Sequence, residues 1–132
     1  MLINAFRGEP DLRNPALALL SISTIKFYYG PLLKLEAILQ PTLERRRDEL
    51  EFYEEYFKWA HIFGNLDRVY EIAEKEALRH GIKVLDAMHV AAAHLSRCDV
   101  LITAEKPEKP IFRTKIVNVA RLLDSDPESF RD

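Results

Sequence analysis

The sequence predicts an α/β fold whose mainly parallel sheet is covered on both sides by helices. Three observations lead there. Strand-like and helical segments alternate along the chain, the pattern of βαβ units. Asp99 to Thr103 is a continuous apolar run, as expected of a strand buried on both faces. Ala87 to Leu95 is a helix rich in alanine, whose small side chains would let it lie close to a sheet. The chain has 132 residues, the size of one domain.

Taken in order, Met1 to Phe6 is apolar, and Gly8, Pro10, Asn14 and Pro15 punctuate a turn. Ala16 to Leu20 reads as a short helical patch with Pro15 at its first position, where a missing N–H costs nothing. Ile25 to Tyr29 is β-branched and aromatic and is stopped by Gly30-Pro31, which reads as a buried strand. Leu32 to Leu39 reads as a helix ending near Pro41. Thr42 to Phe57 carries Leu43, Leu50, Tyr53 and Phe57 on one stripe, an amphipathic helix. Trp59 to Phe63 reads as a short strand. Leu66, Val69, Tyr70, Ala73 and Ala77 follow helical spacing, with Asn65 as N-cap and Gly81 just past the end. Ile116 to Val119 is a last short strand, and the tail from Asp124 is polar.

Composition limits the function. Hydrophobic residues make up 48% and charged residues 30%, a globular balance. The formal net charge of -2 excludes a whole-surface basic field for nucleic acid but leaves room for a local basic patch. A single cysteine, Cys98, excludes an internal disulfide framework and a multi-cysteine zinc site. A cytoplasmic location follows as the expectation. No secretory leader and no membrane-spanning run is expected.

Three acids stand where surface charges are not expected. Glu36 follows the first clear strand. Asp86 is flanked by Val84-Leu85 and Ala87-Met88. Glu105 follows Val100-Leu101-Ile102-Thr103-Ala104. In a parallel sheet, ligands bind at the carboxyl ends of strands, where Glu36 and Glu105 would lie. Partly buried carboxylates need donors or cations, and a hard divalent ion is the simplest remedy for three like charges in one cleft. Plainer roles stand beside this one. Asp86 is also a fitting helix N-cap. Glu36 also suits a polar helix face beside Lys34, and Glu105 a solvated loop with Lys106, Glu108 and Lys109. His89 lies one turn from Asp86 and could hydrogen-bond it. His94 lies five residues further on, about 140° around the axis, so the two histidines form no paired metal site. Arg45, Arg46 and Arg47 are followed at once by acids and read as a solvated helix face.

From Ile82 to Glu105 the chain resembles the PIN domain family, especially VapC-type toxins. The resemblance rests on Leu85-Asp86-Ala87-Met88-His89-Val90-Ala91-Ala92-Ala93, then Asp99-Val100-Leu101-Ile102-Thr103-Ala104-Glu105. Leu2-Ile3-Asn4-Ala5-Phe6-Arg7-Gly8 is similar to the family's first helix, and Tyr28 to Glu36 to its next strand and helix. The resemblance implies a three-layer α/β/α fold with a central parallel sheet. It implies a metal-dependent endoribonuclease that cleaves single-stranded RNA. Glu36, Asp86 and Glu105 would be catalytic and would hold Mg²⁺ or Mn²⁺, with Thr103 supporting them. It further implies an antitoxin partner and a homo-oligomer. The family's first acid is absent, because Met1 directly precedes Leu2-Ile3; the chain reads as N-terminally truncated relative to the family, or as degenerate. Arg7, Lys34 and Lys106 are candidate RNA-facing cations. A catalytically degenerate PIN-like module that binds protein or RNA without cleavage is the alternative, and an unrelated α/β fold with three unconnected acids is a third.

Overall fold

Local signals place the helices. The computed structural model describes residues 1–125, so most of the polar tail lies outside the described residues. Its elements are α1 (Leu2–Arg7), α2 (Pro10–Leu20), β1 (Tyr28–Tyr29), α3 (Leu33–Leu43), α4 (Arg47–Trp59), β2 (His61–Ile62), α5 (Leu66–His80), α6 (Val84–Leu95), β3 (Leu101–Thr103) and β4 (Val119–Arg121). Helix α5 is delimited by both of its expected caps. The Asn65 side-chain oxygen accepts the Arg68 N–H at 3.2 Å, and Gly81 closes the helix at φ 68°, a left-handed conformation natural to glycine.

Two prolines are absorbed into helices instead of breaking them. Helix α2 begins at Pro10 and carries Pro15 inside it, and α3 runs through Pro41 to Leu43. Each interior proline forfeits one backbone hydrogen bond. The following turns are held by packing: Ala16 and Leu19 are buried after Pro15, and Pro41 is itself buried. The Thr42–Phe57 helix is accordingly split. Arg45 adopts φ 55°, α4 starts only at Arg47, and Leu43 is 74% exposed.

The expected three-layer fold with a central parallel sheet is not what forms. Helix accounts for about 60% of the structure. The strands form two separate two-stranded ribbons, β1 with β2 and β3 with β4, both parallel. The sequence runs at Ile25–Tyr29 and Asp99–Thr103 shrink to two and three paired residues. A strand is sustained by neighbours on both edges, and each of β1 and β3 has only one. For the same reason Leu101, Ile102 and Thr103 are only half-buried.

The core is divided accordingly. Val69 and Ala73 of α5 pack on Val90 and Ala91 of α6 and on Ile111. A second cluster joins Ala5, Ala16, Leu19, Ile22 and Leu122, and a third joins Leu2, Ala37 and Tyr53. Helix α6 is buried from Ala87 to Ala93 except at His89, and its alanines permit a close approach. A Cβ placed on Gly30 would stand 2.8 Å from the Ala92 Cβ. Replacing Gly30 by Ala is therefore expected to destabilise the chain by about 1–3 kcal/mol through overpacking, read as a lower urea midpoint. An unchanged midpoint would mean that α6 can move aside.

Two buried carboxylates tie elements together. Glu49 accepts the Tyr53 hydroxyl at 2.6 Å and pairs with Arg46 at 3.2 Å and Arg7 at 3.6 Å. Glu76 of α5 accepts the Thr114 hydroxyl, and His80 stands 3.9 Å from the same oxygen. Among the described residues no helix is long and apolar enough to cross a membrane.

Candidate functional site

Residues of β1 and β3 both line a cavity of about 1410 Å³, larger than the usual small-molecule pocket of up to about 1,000 Å³. Its lining includes Glu36, Asp86, His89, Thr103 and Glu105. The three acids predicted from sequence thus border one space, although they lie up to 69 residues apart in the chain. Among the described residues, however, no group of three His, Cys, Asp or Glu side chains is close enough to hold a metal ion together.

Each acid is positioned differently. Asp86 lies in the first turn of α6, whose N-cap is Lys83, so Asp86 is not the cap. Burial and then the nearby Glu105 charge push its carboxyl above the usual range. Glu36 lies in the first turn of α3 and lines the cavity, its side chain 34% exposed. The His89 ring is its partner, with Nε2 3.8 Å from a carboxylate oxygen; His89 therefore faces Glu36 where the sequence suggested Asp86. The adjacent His89 ring holds the Glu36 carboxyl below its usual range. Glu105 is fixed through its backbone. Its N–H donates to the Thr103 hydroxyl at 3.2 Å, and its carbonyl accepts Arg121 Nε–H at 3.3 Å. Thr103 is thus a positioning residue for Glu105.

No protein-family model, curated protein or solved structure matches this chain. The reading of the site therefore rests on its own chemistry. Among the described residues, no lysine or arginine forms an ion pair with Glu36, Asp86 or Glu105. The result is a cavity rim of hard oxygen donors on which Lys83 acts only from beyond ion-pair distance.

The proposed cation rim changes on inspection. Arg7 is committed to buried Glu49, while Lys34 and Lys106 are exposed. Lys26, Lys83 and Arg97 line the cavity instead; their sequence neighbourhoods carried no motif to single them out. Arg121 was missed because its role depends on the β3–β4 pairing. His94 is structural, with Nδ1 3.0 Å from the Ile116 carbonyl oxygen. Cys98 is free and half-buried, and burial raises its thiol pKa, which suits an inert thiol.

The Glu36–His89 contact has a pH signature. A carboxyl whose folded pKa lies below its unfolded value of about 4.3 stabilises the fold above that pH and loses its contribution as pH falls through the folded value. Glu36→Gln should therefore lower stability at pH 7 by less than about 1 kcal/mol, the range of exposed pairs, and by nothing near pH 2. Denaturation curves at several pH values measure this. A pH-independent difference would assign the loss to packing.

Proposed function

We propose that this chain is a divalent-cation-dependent endoribonuclease acting on single-stranded RNA, with Glu36, Asp86 and Glu105 as its acidic residues. The observation that carries the reading is the gathering of three acids, distant in sequence, around one cavity without a lysine or arginine ion partner among the described residues. The resemblance of Leu85–Ala93 and Asp99–Glu105 to PIN-type toxins, which includes Asp86 and Glu105 themselves, points the same way. The donor set suits Mg²⁺ or Mn²⁺, hard ions commonly held by one or two carboxylates with water and substrate phosphate completing the shell. Such spacing does not require all three acids in one coordination sphere. When bound, the ion would supply a more acidic water and a counter-charge for the phosphodiester.

The remaining roles belong to the chain. Asp86 and Glu105 supply the paired negative charge that selects a cation. Thr103 and Arg121 hold Glu105 at the end of β3. Glu36, kept ionised beside His89, adds its negative charge to the same cavity lining. Lys26, Lys83 and Arg97, which line the cavity, are the cations available to an RNA backbone there. A cytoplasmic site of action, an antitoxin partner and self-association belong to the same proposal.

The test is cleavage of an end-labelled unstructured RNA with Mn²⁺ and with EDTA, by the wild-type chain and by Glu105→Gln. Mn²⁺-dependent cleavage that Glu105→Gln reduces to background is the expected result. A folded chain that binds no Mn²⁺ by calorimetry and cuts no RNA would overturn the reading in favour of a module that binds without cleavage.

A further inference from the structure

The ribbons leave two strand edges facing the same cavity. In a parallel ladder, alternate residues direct both backbone groups to one neighbour and the residues between them point the other way. The Phe27 and Tyr29 carbonyls accept from His61 and Phe63, so Tyr28 presents its N–H and C=O away from β2. The Leu101 N–H donates to the Asn118 carbonyl, so Ile102 presents its groups away from β4. The cavity is lined by the unbroken runs 24–30 and 96–105. Unbroken runs mean that the backbone edges themselves form the walls, since side chains alone would alternate.

The residues that follow the two strands meet near Asp86. Glu105 lies just beyond β3, Glu36 lies on the helix that follows β1, and both act on Asp86. Apolar residues, including Ile3, Leu19, Ala92 and Ile111, complete the lining. Unpaired edges of this kind invite another strand.

We propose that the cavity is a strand-acceptor site that takes an extended peptide segment between β1 and β3, parallel to both. The segment is apolar over about five residues, because it would be walled on both faces and each residue advances about 3.3 Å. It ends in a lysine or arginine, because its carboxyl end emerges among Glu36, Asp86 and Glu105. Each of its residues finds a partner in turn on β1 or on β3, which converts two ribbons into one sheet. This inference uses the acids only as charges and does not depend on nuclease activity.

The probe is a dye-labelled, end-blocked peptide with the run Val-Val-Leu-Ile-Val followed by Lys, followed by anisotropy with the full chain. Saturable binding is expected. N-methylation at either of two adjacent central residues should weaken it at least tenfold, because one residue faces β1 and the next faces β3. Exchanging the terminal lysine for glutamate should weaken it as well. The chain variant Ile102→Pro removes the edge donor without touching the β3–β4 ladder and should weaken binding tenfold with an unchanged circular dichroism spectrum. If that variant does not fold, the methylated peptides on the wild-type chain still decide. Equal binding of methylated and unmethylated peptides overturns the proposal, as does binding sensitive to only one of the two methylations. A concentration-dependent dimer in sedimentation that excludes the peptide would assign the site to a second copy and also overturn it.

Discussion

Tyr53→Ala is expected to cost about 3–5 kcal/mol, a large share of the roughly 5–15 kcal/mol that holds a domain folded. Tyr53 is fully buried, with its ring centroid 6.2 Å from Phe6 and 5.9 Å from Phe52. Its hydroxyl is the hydrogen-bond donor to Glu49, a carboxylate that is only 2% exposed. Truncation therefore opens a cavity and strips a buried charge of a donor at the same time. Tyr53→Phe separates the two effects. It keeps the ring and should cost about 1.5–3 kcal/mol, the worth of a hydrogen bond to a charged group. Urea titration followed by far-ultraviolet circular dichroism measures both. A Tyr53→Ala loss below about 1 kcal/mol would show that α1 and α4 are held elsewhere.

Asp86→Asn is expected to move stability in opposite directions with and without metal. The folded pKa of Asp86 lies above its unfolded value of about 3.9. An ionised Asp86 therefore costs stability above the folded value, and the cost vanishes as pH falls below the unfolded value. In EDTA at pH 7 the asparagine variant should melt higher than the wild type, with no advantage at low pH. In Mn²⁺ at 100 times its dissociation constant the wild type should gain about 2.7 kcal/mol, and the variant nothing. The two melting temperatures then exchange order. A variant that melts lower in EDTA would mean that the carboxylate is satisfied by the fold and has no spare charge to offer.

Local physics made the helices legible and non-local pairing hid the rest. Asn65 and Gly81 mark α5 because caps act within a few residues. The alanines of α6 announced close packing, and Gly30 meets Ala92 accordingly. The sheet was misread because strand extent depends on partners far away in the chain, and β1 and β3 each have one partner. Pro15 and Pro41 were read as boundaries, a rule of local geometry that tertiary burial overrides. Asp86, Glu36 and Glu105 were picked from apolar neighbours and strand ends, and the fold sets them around one cavity without closing them into a chelating group. Glu49 gave no such signal. It stands in a charged stretch, Arg45 to Glu51, broken only by Leu50, and its one clue was Tyr53 a helical turn later.

The division of the core has a consequence for cooperativity. Val90, Val69 and Ile111 belong to one cluster, Leu19, Leu122 and Tyr53 to the others, and the cavity is the seam between them. The β3–β4 ribbon ties them, with Leu101 and Val119 on the first cluster and Ile102 on the second, so the molecule has the makings of two foldons joined by one ribbon. Whatever fills the seam touches both, and occupancy would be read out as a single melting event where the empty chain shows a broad one.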